Sequence, residues 1–196
     1  MALHRTDVVG AALAIVDQYG IGDLTMRRLA ERLGVQPGAL YWHLPNKQSL
    51  LAAVSDVIVG EVALPPDGDD WRTWLGEWAG GLRRTLLGHR DGAELVASTR
   101  ATGLGSTDWL TGPRDRLVAA GLGAGAASDA VQVLTHFVLG QVYEEQNRAQ
   151  LAELGVSEPA DAVDAERLFR FGLEVIVTGL AHRAPTLATD RRLTTT

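Results

Sequence analysis

The chain has 196 residues, of which 46% are hydrophobic, and a formal net charge of −6 at pH 7. This length and composition describe one large or two small globular domains and exclude a disordered chain. Cysteine is absent, so disulfide bonds and thiolate metal sites are excluded, which fits a reducing compartment. We expect a cytoplasmic protein without a targeting segment or membrane span, because charged or polar residues interrupt both residues 1–20 and the most apolar run, Val131 to Tyr143.

The negative charge is distributed unevenly along the chain. Residues 1–50 contain five basic and four acidic side chains, so the excess of acid lies in the remainder. This distribution excludes the long basic stripe of a non-specific nucleic-acid binder, but it permits binding through a few well-placed cations.

The first predicted helix covers His4 to Tyr19. Its apolar residues recur at spacings of three and four, and two glycines, Gly20 and Gly22, end it. We expect this helix to pack behind the segment that follows.

The next segment predicts two short helices. Thr25 is a good N-cap for the first of them, and Gly34 ends it. Pro37-Gly38 then turns the chain sharply before a very short helix from Ala39 to Leu44. Two helices joined by a turn of three or four residues with a glycine are typical of a helix-turn-helix unit, whose second helix enters the DNA major groove.

A longer helix, Asn46 to Glu61, is predicted to connect this unit to the rest of the chain. One of its ends lies beside the helix-turn-helix unit and the other leads away from it, so it is a candidate lever. Leu64 to Asp70 contains two prolines, a glycine and three acids and cannot continue a helix, so we place the domain boundary nearby.

Helical periodicity resumes at Trp71. Trp71, Trp74, Trp78 and Leu82 fall on one helical face. Aromatic residues at this spacing usually pack in a core, and the alternative is that they line an aromatic cavity for a ligand.

Four further helices are predicted in the second half of the chain: Asp91 to Thr99, Thr107 to Ala120, Ala126 to Leu154 and Ala162 to Arg183. A loop with two glycines covers Ala101 to Ser106, and a second loop covers Gly155 to Asp161. Gly121, Gly123 and Gly125 imitate a dinucleotide-binding turn, but helices flank them on both sides and no strand precedes them. We therefore reject that interpretation.

Several segments resemble one known family. Val35 to Lys47, with Leu40-Tyr41-Trp42-His43 at its centre, closely resembles the DNA-binding domain of the tetracycline-repressor (TetR) family. Leu86 to Ala93, Thr99-Arg100 and Thr135 to Gly140 are similar to the effector domain of the tetracycline-repressor branch. The resemblance spans most of the chain.

The resemblance, together with the predicted elements, implies an all-α protein with a three-helix DNA-binding domain and a larger helical-bundle effector and dimerisation domain. We assign residues 1–46 to the helix-turn-helix domain, 47–64 to the connecting helix, 65–184 to ligand binding and dimerisation, and 185–196 to a polar, disordered tail.

The resemblance also implies which residues bind DNA. Tyr41, His43 and Lys47 occupy family positions that grip the phosphate backbone. Arg27 and Gln36 are best placed to reach base edges, since arginine can bridge guanine and glutamine suits adenine. The full candidate set is Thr25, Arg27, Arg28, Gln36, Pro37, Ala39, Tyr41, Trp42, His43 and Lys47.

We place a candidate effector site between the helix that begins at Trp71, the segment Leu95 to Arg100, Trp109-Leu110 and the inner face of Thr135 to Glu144. Its candidate residues are Trp74, Trp78, Leu82, Leu95, Thr99, Arg100, Trp109, His136, Phe137, Gln141 and Glu144.

The effector is not expected to be a tetracycline with magnesium. In the tetracycline-repressor branch a histidine and a glutamate help to hold the metal-bound drug; Glu144 matches the glutamate, but Val96 stands at the histidine position. A larger molecule than a tetracycline's polar site would hold, either apolar or aromatic, fits the tryptophans better, and we expect no cofactor and no metal site.

A dimer interface is expected on the last predicted helix, where Gly172 and Gly179 lie seven residues apart on an apolar face. A second such face on the preceding helix consists of Val131, Leu134, Val138, Leu139 and Val142. An ordinary buried helix in a monomer would show the same pattern, but the family resemblance favours a homodimer.

No enzymatic machinery is visible, since the five histidines form no metal-ligand spacing and no nucleophile motif is present. We expect a ligand-responsive repressor that a small molecule releases from a palindromic double-stranded operator. Two alternatives stay open: a constitutive DNA-binding dimer, and an all-helical enzyme that uses His136 and Glu144, eight residues apart, on a small aromatic metabolite.

Overall fold

The computed structural model describes residues 3–68, 70–156 and 162–183. In those residues it contains helices α1 Arg5–Tyr19, α2 Met26–Leu33, α3 Pro37–Tyr41, α4 Lys47–Gly60, α5 Trp71–Leu87, α6 Gly92–Thr102, α7 Thr111–Ala119, α8 Ala124–Glu153 and α9 Ala162–Ala181. Two single 3₁₀ turns, Ile21–Asp23 and Asp108–Leu110, complete the described elements. The expectation of an all-α fold with an N-terminal helix-turn-helix domain is confirmed. Residues 157–161 of the predicted Gly155 to Asp161 loop and the predicted tail lie outside the described residues.

Local sequence signals explain the helix-turn-helix unit. Thr25 caps α2 by accepting a hydrogen bond from the backbone N–H of Arg28 at 3.1 Å, and Gly34 ends α2 with a left-handed φ of 67°. Helix α3 begins two residues earlier than predicted because Pro37, whose fixed φ suits the first helical position, occupies its first turn. The fully buried side chains of Leu29 and Leu40 join α2 and α3 to α1 in a common core.

Helix α4 leaves this unit and enters the body of the protein. The side-chain oxygen of Asn46 caps it by accepting from the N–H of Ser49 at 2.8 Å. Buried residues then follow along its length, from Leu50 to Val59, as it packs against α1 and α6. At 1.5 Å per residue, its 14 residues span about 21 Å.

The body consists of α5 to α9 around a core that includes Trp78, Leu95, Leu117 and Leu134. The 30-residue helix α8 contacts α5, α6, α7 and α9. None of the helices in the described part of the chain is long and apolar enough to cross a lipid bilayer.

The second dimer face predicted on α8 is wrong. Val131, Leu134, Val138, Leu139 and Val142 are all buried within the single chain. They form the inward stripe of α8, which packs against the other helices of the same body, and sequence periodicity alone does not tell an inward apolar stripe from one that faces a partner.

Gly172 and Gly179 of α9 have different surroundings. A Cβ atom at Gly172 would overlap the ring of Phe137, so this glycine permits the close approach of α8 and α9 within one chain. Gly179 faces open space. Of the two, only Gly179 is free to accommodate a second molecule.

The turn between α5 and α6 joins the body to the helix-turn-helix domain. His89 lies between two carboxylates, with Nδ1 3.1 Å from Asp17 of α1 and Nε2 3.1 Å from Glu61 at the end of α4. Both contacts are hydrogen bonds only when the ring is protonated, since a neutral imidazole has a single N–H. Burial acts to lower the pKa of His89, but hydrogen bonds and charge attraction from Glu61 and Asp17 outweigh it and hold the pKa above its usual value.

Asp91 completes this junction. It is the one non-glycine residue of the described chain with positive φ, at 55°, and this conformation directs its carboxylate toward two other elements. One oxygen accepts from the backbone N–H of Ile21 at 2.8 Å and the other from Gln150 of α8 at 2.5 Å. The turn therefore bonds to α1, α4 and α8 at once.

We expect His89→Gln to destabilise the protein in a pH-dependent way. Because the folded-state pKa is raised, protonated His89 stabilises the fold fully below about pH 6.5, and this contribution is lost as pH rises through the folded-state pKa. The difference in urea unfolding free energy between the parent and the variant should be largest near pH 6 and shrink toward about pH 9.

His136→Gln serves as the control, since His136 is exposed on α8 and forms no ion pair within the described residues. A His89→Gln difference that stays constant across this pH range would show that the charged His89 junction does not form.

Candidate DNA interface and ligand site

The second helix of the helix-turn-helix unit presents an aromatic surface to solvent. Leu40 is fully buried and anchors α3, whereas Tyr41 is 49% exposed and Trp42 is 91% exposed. Gln36 and Pro37 at the start of α3 are exposed too, and Ala39 is half-buried. Two adjacent large aromatic residues left in solvent on a short helix indicate a contact surface.

Arg27 and Arg28 of α2 differ in how firmly other residues of the protein hold their side chains. Arg27 is largely exposed and pairs with Glu31 at 2.9 Å, one helical turn away. An exposed pair of this kind contributes at most about 1 kcal/mol, so Arg27 can exchange Glu31 for another acceptor. Arg28 is held more firmly, because it pairs with Asp23 and its guanidinium lies 4.0 Å from the centre of the Tyr19 ring.

Lys47 opens α4, directly after the Asn46 cap and close in sequence to Tyr41 and His43. Lys47 and His43 are half-buried. A helix N-terminus attracts anions through its free N–H groups and its dipole, so this corner suits a backbone phosphate. The ten predicted DNA-binding residues thus come from three successive elements: the start of α2, α3 with the turn after it, and the first residue of α4.

The tryptophans of the body meet a second wall of side chains. Trp78 is fully buried, and its ring stacks on Trp109 of the Asp108–Leu110 turn with centroids 6.1 Å apart. The guanidinium of Arg100 on α6 lies 5.6 Å from the Trp109 ring, and that of Arg116 on α7 lies 5.9 Å from the Trp74 ring. We call these five residues the aromatic–arginine cluster.

Buried polar atoms without a hydrogen-bond partner concentrate at this cluster. Within the described residues there are three such side-chain atoms, namely Trp78 Nε1, Thr99 Oγ1 and Arg116 Nε. Two of them belong to the cluster and the third to the residue next to Arg100. Each unsatisfied buried group costs about 1–3 kcal/mol. By contrast, the indole N–H of Trp74, also on α5, has a hydrogen-bond partner, since Nε1 donates to the carbonyl of Pro65 at 3.0 Å.

A cleft of about 270 Å³ lies beside the cluster. Trp109 lines it together with the end of α4, the linker residues Val62 and Leu64, and Gly112 of α7. Asp56 of α4 also borders the cleft and accepts a hydrogen bond from the backbone N–H of Ser106 at 2.7 Å. Trp109 therefore contacts both the cleft and the buried Trp78.

The candidate residues of α8 lie elsewhere in this chain. His136 and Glu144 are exposed, and Glu144 pairs with Arg148. Phe137 stacks on Phe169 of α9 with centroids 5.5 Å apart, and Gln141 is half-buried. The structure therefore does not bring His136 and Glu144 together with the tryptophans, because they fall on the side of α8 away from its buried stripe. Leu82 and Leu95, also predicted for the site, are fully buried core residues.

Two residues of the site were not predicted from the sequence. Arg116 follows Trp109 by seven residues, a spacing that places both on one helical face, so the signal was present. Asp56 has no comparable signal, since its partner Ser106 lies 50 residues away. No group of three or more acidic or histidine side chains in the described ranges is placed to hold a metal ion.

A capped helix-turn-helix unit joined by one helix to an all-α body defines a DNA-binding regulator. Residues 8–54 match the family of bacterial regulatory proteins described as tetR, and residues 64–158 match the tetracyclin repressor-like C-terminal domain. The chain belongs to the TetR family of transcriptional regulators. Regulators of this family are not enzymes, so the alternative of a helical enzyme with His136 and Glu144 is wrong.

Relatives match over nearly the whole chain. The class A tetracycline repressor protein from transposon 1721 of Escherichia coli is 37% identical over 92% of each chain. The crystal structure of Mycobacterium smegmatis BioQ is 42% identical, covers 92% of this chain and 99% of its own, and has a TM-score of 0.84. Another structure contains BioQ with its natural double-stranded DNA operator, at 41% identity, the same coverage and a TM-score of 0.76. A variant of TetR from Acinetobacter baumannii AYE in complex with minocycline is 34% identical, with coverage of 94% and 100% and a TM-score of 0.81.

We expect Lys47→Ala to weaken binding to all DNA sequences alike. Lys47 is the sole lysine of the chain and lies at a helix N-terminus, so its loss removes a phosphate contact and not a base contact. The slope of log affinity against log salt should fall by about 0.9 per protomer in fluorescence-anisotropy titrations. Arg114→Ala, an exposed arginine of the body, should change neither quantity, and an unchanged slope for Lys47→Ala would disprove the phosphate contact.

Arg27→Ala should instead affect one base pair per half-site. Replacing an arginine that bridges guanine O6 and N7 costs about 1–3 kcal/mol on the preferred site and relaxes discrimination at that position. The measurement compares affinities for the preferred site and its single-base variants, with Arg32→Ala at the other end of α2 as the matched control. A uniform loss across all sequences would reassign Arg27 to the DNA backbone.

Proposed function

We propose that the protein is a homodimeric transcriptional repressor that a small apolar, aromatic effector releases from a palindromic operator. What supports this proposal is that one helix, α4, connects the two proposed sites. Its first residue, Lys47, is a proposed DNA contact, and its last turns border the cleft at Trp109. Any ligand that moves Trp109 or the Ser106 backbone acts directly on the helix that carries Lys47.

The mechanism is thermodynamic linkage. The effector binds better to the arrangement of the two helix-turn-helix units that does not fit the operator, and operator DNA weakens effector binding by the same factor. The BioQ complex with operator DNA and the TetR complex with minocycline support each half of this cycle in relatives.

The effector we propose differs from a tetracycline. Val96 stands where the tetracycline-repressor branch has a metal-binding histidine, and Trp78 fills a position of that branch's drug site with a large aromatic side chain. The cleft at Trp109, whose ring stacks on the buried Trp78, favours a planar, mostly apolar ligand.

Dimerisation is proposed to use the outer surfaces of α8 and α9. Val133 of α8 and Phe171 and Val175 of α9 are each more than half exposed. An open groove of about 420 Å³ runs between the two helices and includes Gly179. A two-fold axis through such a surface would place two recognition units on one face of DNA, so the operator is expected to be palindromic.

The proposal is tested by selecting bound sequences from a random DNA pool and then displacing the protein from the selected site with aromatic compounds. We expect a palindrome, and release by a subset of compounds at concentrations that quench tryptophan fluorescence. A single non-palindromic half-site would contradict the symmetric dimer. A protein that binds its palindrome but is never released by a broad compound set is a constitutive DNA-binding dimer.

Val175→Glu should convert the protein into a monomer with weak operator binding. A carboxylate buried without a partner at each copy of the interface opposes association by about 100-fold or more in the dimer dissociation constant. Sedimentation equilibrium measures this change, and circular dichroism verifies that the helices remain folded. Val118→Glu replaces a valine of α7 with 41% exposure and should remain dimeric. A Val175→Glu variant that stays dimeric would place the interface elsewhere.

A further inference from the structure

Four arginines of the described chain have half-buried side chains, and they fall into two pairs. Arg28 is ion-paired with Asp23, and Arg83 is ion-paired with both Glu145 and Glu166. Arg100 and Arg116 have no carboxylate within ion-pair distance among the described residues. These two unpaired arginines both belong to the aromatic–arginine cluster.

An unpaired guanidinium inside a protein is costly because it has lost part of its hydration without gaining an anion. Burial lowers the pKa of Arg100, although a guanidinium stays protonated at physiological pH. The faces of Trp109 and Trp74 compensate in part through cation–π attraction. The cluster therefore holds two positive charges that have no carboxylate partner among the described residues.

The remaining unsatisfied atoms have the same polarity. Trp78 Nε1 and Arg116 Nε can only donate hydrogen bonds, and the Thr99 hydroxyl can donate as well as accept. These donors and the two guanidinium groups, beside aromatic faces, are complementary to an aromatic body that carries an anionic acceptor.

We infer that the effector is an aromatic carboxylic acid, with its ring against Trp109 and its carboxylate bound by Arg100 and Arg116. This inference rests on the proposed function, since it names the chemical class of the ligand for the same site. A neutral aromatic ligand would fill the space but leave both guanidinium groups unpaired. A cation would be repelled.

The test uses aromatic carboxylic acids of one to three fused rings, each paired with its primary amide, which has the same shape but no charge. Tryptophan fluorescence reports binding, and fluorescence anisotropy of a labelled selected operator reports release. We expect at least one acid to bind about tenfold or more tightly than its amide, the factor typical of a hydrogen-bonded charge.

Arg116→Met and Arg100→Met identify the groups responsible. Each variant should lower the preference for the acid over the amide, while Arg114→Met, an exposed arginine of the same helix α7 paired with Asp115, should keep it. The two buried variants should also unfold at the same or a higher urea concentration than the parent, because they remove an unpaired buried charge. A clear loss of stability would show that these arginines already have partners and would overturn the inference.

The outcomes separate this inference from the function on which it rests. Acids that bind in preference to amides without releasing DNA would support the ligand class and contradict ligand-controlled repression. Acids and amides that release DNA equally well would support repression and overturn the role of the arginines. If no acid of the series quenches fluorescence, the inference is wrong.

Discussion

The packing of α4 on both the helix-turn-helix unit and the body is the constraint that connects the two sites. Its Asn46 cap fixes one end beside the recognition helix, and buried residues from Leu50 to Val59 pack it on α1 and α6 along its length. A helix packed in this way moves as a rod, because bending it would break several backbone hydrogen bonds or open voids in a close-packed core. Displacement at the Asp56 end must therefore reach Lys47.

The turn at His89 and Asp91 joins the end of α4 to the neighbouring elements. It bonds to α1 through Asp17, to the 3₁₀ turn after α1 through Ile21, to the end of α4 through Glu61, and to α8 through Gln150. The left-handed backbone at Asp91 carries a conformational cost that only these bonds offset. The junction thus holds the helix-turn-helix domain against the body through polar, directional contacts. Such a contact is either formed or broken, so it suits a switch better than an apolar interface does.

Much of the fold was predictable from the sequence because its signals are local. Thr25 and Asn46 define helix starts through side-chain oxygens that accept nearby backbone N–H groups, Gly34 defines a helix end through its left-handed backbone, and the tryptophan spacing places Trp74 and Trp78 on one face. Apart from the start of α3, which Pro37 moves two residues earlier, the failures concern contacts between distant segments. Val131 to Val142 show an apolar stripe whether it faces the body or a partner, and His136 and Glu144 lie eight residues apart whether or not a cavity receives them. The junction of His89 with Asp17 joins residues 72 positions apart, a pairing that no periodicity encodes.

A small movement of α4 is sufficient for release in the proposed dimer. A tilt of about 5° about one end of a rod of about 21 Å moves the other end by about 2 Å. In a two-fold dimer the same tilt occurs in both protomers, so the separation of the recognition helices changes by up to about 4 Å against a half-site spacing of about 34 Å. Hydrogen bonds to phosphates and base edges need donor–acceptor distances near 3 Å, so this mismatch breaks several of them at each half-site. In the proposed mechanism, a ligand with hydrogen-bond acceptors satisfies the buried atoms of Trp78, Thr99 and Arg116, and removing the cost of those atoms contributes to the free energy that tilts α4.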